Sequence, residues 1–169
     1  MELMDINKRR YRKHLNIVIA LVIMALMGLA LLFGQSLIIL LSSPQGDNFI
    51  FNLVGVAMAA VICLFVIWSV RGHQFMSEVV YVWHLKQGLN QIYRKNTKIE
   101  KAAFDDGNER AMVILNYYYQ ASRQLYTLDD NTITLESLQE RVDKLQQAME
   151  AKNLKPQPGD YHADMLKEY

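Results

Sequence analysis

Two long apolar runs, close together near the start of the chain, limit what it can become more than any other feature. Leu15 to Leu41 and Phe49 to Val70 contain no Asp, Glu, Lys or Arg. As a helix the first run is about 40 Å long, more than the ~30 Å hydrocarbon layer needs, so it must tilt or let Leu37 to Leu41 protrude. The second is long enough to cross once. Lipid offers a backbone no hydrogen-bond partners, so helix is the conformation expected of both. The segment from Ser42 to Asn48 holds Pro44 and Gly46, which are expected to stop the first helix. A connection this short makes the two spans antiparallel neighbours.

A basic arm, residues 1–14, precedes the first run, with Lys8, Arg9, Arg10, Arg12 and Lys13 against Glu2 and Asp5. A basic start before an apolar run also describes a signal peptide. Here the run is far longer than an h-region and no small-residue cleavage pattern ends it. The turn at 42–48 has no Lys or Arg, whereas Arg71 and Lys86 follow the second span. The positive-inside rule therefore predicts a two-pass protein with both termini cytoplasmic and the turn outside.

Within the spans, Ala30 and Gly34 are four residues apart, as are Gly55 and Ala59. Small residues at that spacing let helices approach closely, so these four are the expected packing seam. Gln35 and Asn52 stand at similar distances from the turn and are expected to hydrogen-bond to each other. Cys63 lies in the second span and, as a lone cysteine among apolar neighbours, reads as a small hydrophobe.

Beyond Val70 the composition changes. The whole chain carries 18 Lys and Arg against 17 Asp and Glu, so net charge points to no polyanionic partner. Residues 71–155 are expected to form a cytoplasmic bundle of about three helices, and 156–169 a tail. Gly72 marks a hinge. A long helix is predicted over Phe75 to Phe104, with Phe75, Val79, Val82, Leu85, Leu89, Ile92 and Ile99 along one face. Its aromatic first part also suits a membrane interface. Asp106 and Glu109 have capping-box spacing ahead of a helix from Glu109 to Tyr126. Leu128 to Thr134 is the next connection, and Thr134 is the expected N-cap of a third helix ending near Asn153. Pro156 and Pro158 end helical structure. Tyr161, Met165 and Leu166 leave two options for the tail, docked or mobile. The fold class is thus all-α, a two-span hairpin followed by a helical bundle.

Sites of chemistry are scarce. His14, His73, His84 and His162 have no partner at zinc-ligand spacing. His73, Glu78 and His84 share the stretch just after the second span, and a solvated face is the simpler account of them. Asp129-Asp130-Asn131 opens like a calcium loop, but the glycine and later glutamate are not in place. There is no phosphate-binding glycine loop and no nucleophile with its base. No cofactor, no metal and no catalysis are expected. Contact with a partner is the expectation for Tyr117, Tyr118 and Tyr119, since three consecutive tyrosines cannot share one helix face. Arg94 and Lys95, with Lys98 and Lys101, form a basic cluster suited to a partner or to anionic lipid, and no nucleic acid is expected.

One resemblance spans nearly the whole chain. Its pieces are Asp5-Ile6-Asn7-Lys8, Tyr11-Arg12-Lys13-His14-Leu15-Asn16, Gly46-Asp47-Asn48-Phe49 and Arg71-Gly72-His73. Further pieces are Tyr81-Val82-Trp83, Ile92-Tyr93-Arg94-Lys95, Tyr118-Tyr119-Gln120 and Leu128-Asp129-Asp130-Asn131-Thr132. On these the chain resembles a bacterial inner-membrane family catalogued only as a domain of unknown function, number three-zero-eight-seven. The resemblance implies a protein of this size and location and carries no activity or functional residue. The expected role is a membrane-anchored interaction or scaffold protein that binds the bilayer and either another protein or itself. The alternative is a subunit of a small oligomeric transporter or channel, which the lack of intramembrane charge disfavours.

Overall fold

The computed structural model describes residues 3–41, 47–131 and 133–169. The expected helix stop at Pro44 and Gly46, and Glu2 of the basic arm, lie outside the described residues. Helices α1 (Lys8–Leu41), α2 (Phe49–Val70), α3 (Ser77–Tyr93), α4 (Asn96–Phe104), α5 (Glu109–Asp129) and α6 (Ile133–Glu150) follow in order. Short 3-10 turns occur at Gln74–Met76, Pro158–Asp160 and Ala163–Glu168, and no strand occurs among the described residues. The chain divides into two compact units. One is Arg9–Val80, and the other joins Met1–Lys8 to Tyr81–Tyr169.

The hairpin unit is built on α1 and α2, of 34 and 22 residues, both long and apolar enough to cross a membrane. Their large side chains point outward, Leu31, Ile39, Leu64 and Phe65 among them. On α2 the buried residues are small: Gly55, Ala59 and Cys63, spaced four residues apart along one stripe. A Cβ placed on Gly55 would stand 2.6 Å from the Gly34 amide nitrogen and 3.1 Å from the Ala30 carbonyl oxygen. The two backbones touch there, which only glycine permits. A Cβ on Gly34 would meet the Asn52 side-chain oxygen at 2.9 Å. Asn52 therefore lies over Gly34, and no Gln35–Asn52 hydrogen bond forms among the described residues. The expected pairing fails because Gln35 faces outward while the asparagine covers the glycine beside it.

The basic arm is not a separate segment, since α1 already begins at Lys8. At the other end of the hairpin, the break after α2 comes from His73, whose backbone is extended (φ −75°, ψ 143°). Gly72 is not the cause. A Cβ there would meet nothing, and the glycine with positive φ among the described residues is Gly107.

In the helical unit α5 is the central element, packed against α4, α6 and the Pro158–Asp160 turn. Its buried residues run round most of the helix: Ala111, Met112, Ile114, Leu115, Asn116, Tyr117, Tyr119, Ala121, Ser122 and Leu128. Such all-round burial marks a helix enclosed by its neighbours. Asn108 is its N-cap, the side chain accepting from the Ala111 amide (3.1 Å). Asp106 does not cap. α5 runs past Tyr126 to Asp129 and ends where Asp130 turns left-handed (φ 58°), its N–H returning to the Tyr126 carbonyl. Thr134 is likewise not an N-cap but sits inside the first turn of α6, which ends at Glu150 ahead of Asn153, another left-handed residue (φ 54°).

The single helix expected over Phe75 to Phe104 is two helices. The Lys95 amide bonds the Ile92 carbonyl at 2.9 Å, a tightened last turn, and the Lys98 and Ile99 amides then start again from the Lys95 carbonyl. The break lets Ile92 and Ile99 both become fully buried. Residues 156–169 dock. Tyr161 and Leu166 are buried, and the Lys95 ammonium donates to the Leu166 carbonyl (2.7 Å). The docked tail, the N-terminal segment and the Tyr81 boundary thus replace the expected 71–155 domain.

Candidate functional site

Two hollows bring together residues that the sequence singles out or that lie far apart in the chain. The first lies in the hairpin unit, where the first turns of α1 approach the start of α3. Glu78, in the first turn of α3, is only 5% exposed. Its Oε1 accepts from Arg10 Nε at 2.6 Å. Its Oε2 is 3.5 Å from His14 Nδ1, and each of these two atoms is buried without a hydrogen bond. The His14 ring rests on Phe75, centroids 4.1 Å apart. Together with His73, Gln74 and Ser77 they line a hollow of about 360 Å³. His73 caps the 3-10 turn, its Nδ1 accepting from the Phe75 amide (3.1 Å), so that nitrogen carries no proton.

Of the sequence triplet His73, Glu78 and His84, the first two share this hollow. His84 belongs to the helical unit, exposed and edge-on to Trp83 at 4.9 Å. No cluster of three or more His, Cys, Asp or Glu that could hold a metal occurs among the described residues. Glu78 acts here as a charge lock between two helix starts. A buried carboxylate needs such a partner, because its desolvation is otherwise uncompensated. His14 was the member that sequence spacing missed, since it lies on a different helix from Glu78.

The second place is a groove of about 720 Å³ in the helical unit. One wall is α5, with Asn116, Gln120, Arg123 and Gln124. The other is α6, with Val142, Leu145, Gln146 and Met149. The chain's own residues 3–6 lie along it. Met4 is held by its backbone. Its N–H donates to Tyr81 Oη (3.0 Å), its carbonyl accepts from Gln124 Nε2 (2.5 Å), and Tyr81 Oη donates to Gln124 Oε1 (3.0 Å). Lys8 pairs with Asp130, closing the far end. Burial pushes the Tyr81 hydroxyl above its ordinary value, while the Met4 and Gln124 bonds pull it down.

The tyrosines behave differently from the sequence expectation. Tyr117 and Tyr119 are core residues, 1% and 2% exposed, so neither is open to a partner. Tyr117 stacks on Tyr161 at 4.3 Å and is pushed up to about 12 by burial, then by Tyr161 and Tyr81. Tyr119 donates to Glu100 (3.2 Å), and burial with that carboxylate raises it further still. Tyr118 is half-buried. The expectation fails because α4, α6 and the tail surround α5, so adjacent residues on opposite faces both find cover. Of the basic pair, Lys95 is half-buried and held by Leu166, whereas Arg94 is exposed.

These features describe an all-α protein with two membrane-length helices and a helical unit that grips a non-helical segment. The chain belongs to the family described as Protein of unknown function (DUF3087), whose family model matches residues 1–166. No curated protein and no solved structure matches the chain.

Proposed function

We propose that this chain is a non-enzymatic interaction or scaffold protein, anchored by its hairpin in the bacterial inner membrane with both termini cytoplasmic. One observation carries the reading: beside the groove between α5 and α6, the backbone of Met4 is held through both its N–H, by Tyr81 of α3, and its C=O, by Gln124 of α5. Gripping an extended segment by its main chain is how interaction domains hold peptides, with neighbouring side-chain pockets supplying selectivity. The groove continues beyond the segment along Val142, Gln146 and Met149, leaving room for a partner. Glu78 Oε1 is taken by Arg10 and His73 Nδ1 by its cap. A transporter subunit would be expected to carry ionisable groups within its spans, and these have none.

The test is a photo-crosslinking residue at Gln146 of the full chain in cells. A reproducible adduct with one other protein, lost when Val142→Arg is added, supports the reading. Adducts with the chain itself alone, together with ion flux through reconstituted vesicles, favour the transporter. A reporter fused after Tyr169 that is active only outside the cell overturns the topology.

A further inference from the structure

Among the described residues outside the two spans, the exposed large hydrophobic side chains are Met4, Trp83 and Tyr93. Two of the three are aromatic and both lie on α3, Trp83 55% and Tyr93 67% exposed. At 3.6 residues per turn, Trp83, Gln87, Asn90 and Arg94 fall on one stripe, with Tyr93 beside it. All four stripe residues are exposed. The charge is one-sided. From Val79 to Ile99 the chain has no Asp or Glu, but it has Lys86, Arg94, Lys95 and Lys98. Lys86 pairs with Asp129 (2.8 Å), Lys95 with the Leu166 carbonyl and Lys98 with the Tyr169 carbonyl (3.2 Å). Arg94 makes no ion pair among the described residues.

Tryptophan and tyrosine beside a guanidinium without an ion pair, on a stretch that itself carries no acid, is the chemistry of a bilayer's headgroup layer. The rings settle where one side is apolar and the other wet, and the cation meets lipid phosphate. The distance also suits it. Trp83 follows Val70 by 13 residues, about 20 Å if wholly helical and at most about 45 Å if fully extended, and α3 does not simply continue α2, because His73 is extended. We propose that the Trp83–Arg94 stripe, with Tyr93, rests on the anionic headgroups of the membrane that the hairpin crosses. This rests on the two-span reading above. The contact gives the helical unit a second attachment to the bilayer, one that responds to lipid charge.

The chain contains two tryptophans, Trp68 and Trp83. Each becomes its own probe in the full-length variants Trp68→Phe and Trp83→Phe, reconstituted in nanodiscs with lipids brominated near the headgroup. In the first variant, Trp83 fluorescence should be quenched in discs containing phosphatidylglycerol and recover in phosphatidylcholine or high salt. Adding Arg94→Gln should lower the lipid-bound to free ratio about fivefold, the effect of one cation at an anionic surface. Trp83 untouched by brominated lipid but open to aqueous iodide overturns the proposal. So does Trp83 shielded from both, which indicates a protein cover. Trp68, the probe left in the second variant, separates the premise. If Trp68 is quenched and Trp83 is not, the stripe proposal alone fails. If neither is quenched, the two-span reading fails and takes the proposal with it.

Discussion

In the hairpin, Gly55 comes so near Gly34 that a single added carbon would overlap a backbone nitrogen. In the helical unit, α5 is held at a distance by rings: Tyr117 stacked on Tyr161, Tyr119 reaching Glu100. The contrast fits the membrane reading proposed above. Side chains between helices that face lipid gain little over lipid itself, so contact there would come from bringing backbones together. A helix in water gains by covering large apolar surface, and tyrosine offers such surface plus a hydroxyl that finds a partner. Small residues therefore make the hairpin contact and large ones the contacts of α5.

The strongest way to break this comparison is to remove a ring. Tyr117→Ala empties the site between α5 and Tyr161 and should cost ~4 kcal/mol, read as loss of the helical unit's unfolding transition in detergent while the spans stay helical. Alkali is the same test without mutation. The Tyr117 hydroxyl is at about 12 in the fold against an ordinary 10.0, so folding disfavours its ionised form. Its contribution is complete below pH 10 and is lost as pH rises through 12, up to ~3 kcal/mol. Tyrosinate absorbance and loss of ellipticity should then rise together in that window, and tyrosinate forming without loss of structure would contradict the burial.

Next comes the charge lock, which is asymmetric. Arg10→Ala leaves buried Glu78 with only His14 beside it and should cost ~3 kcal/mol, whereas Glu78→Gln leaves an arginine already exposed and should cost far less. Equal effects in urea titrations of the two variants would mean that the carboxylate is more solvated than its burial implies. Gly55→Ala should cost ~2 kcal/mol by forcing the hairpin backbones apart, measurable as a lower melting temperature of the spans. Smallest is Gly72→Ala, where a Cβ meets nothing. There the change should be under ~1 kcal/mol and of stabilising sign, because alanine restricts the unfolded chain.

The two long helices were largely legible in the sequence, because each is one uninterrupted apolar run and the spacing of Gly55 and Ala59 marks one face. What sequence could not place depends on partners far along the chain. The break after Tyr93 brings Lys95 to Leu166, and apolar periodicity runs through it unmarked. Asn108 outcompeted Asp106 as a cap because the Gly107 turn comes between them (φ 61°). The tyrosine run was misread because the number of neighbours around α5 is a property of the fold. Glu78 was noticed from sequence, but its partners Arg10 and His14 lie on another helix, and no local pattern connects them.

The grip on Met4 also sets an order of events. Met4 and Gln124 are separated by 120 positions, and Lys8 and Asp130 by 122. During synthesis, residues 3–8 leave the ribosome first and cannot find their seat until α5 follows. Both hairpin helices are made in the interval, so they are complete before the helical unit can close. Such long-range closure is slow compared with pairing of sequence neighbours, and each newly made molecule passes through a stage with its groove unfilled.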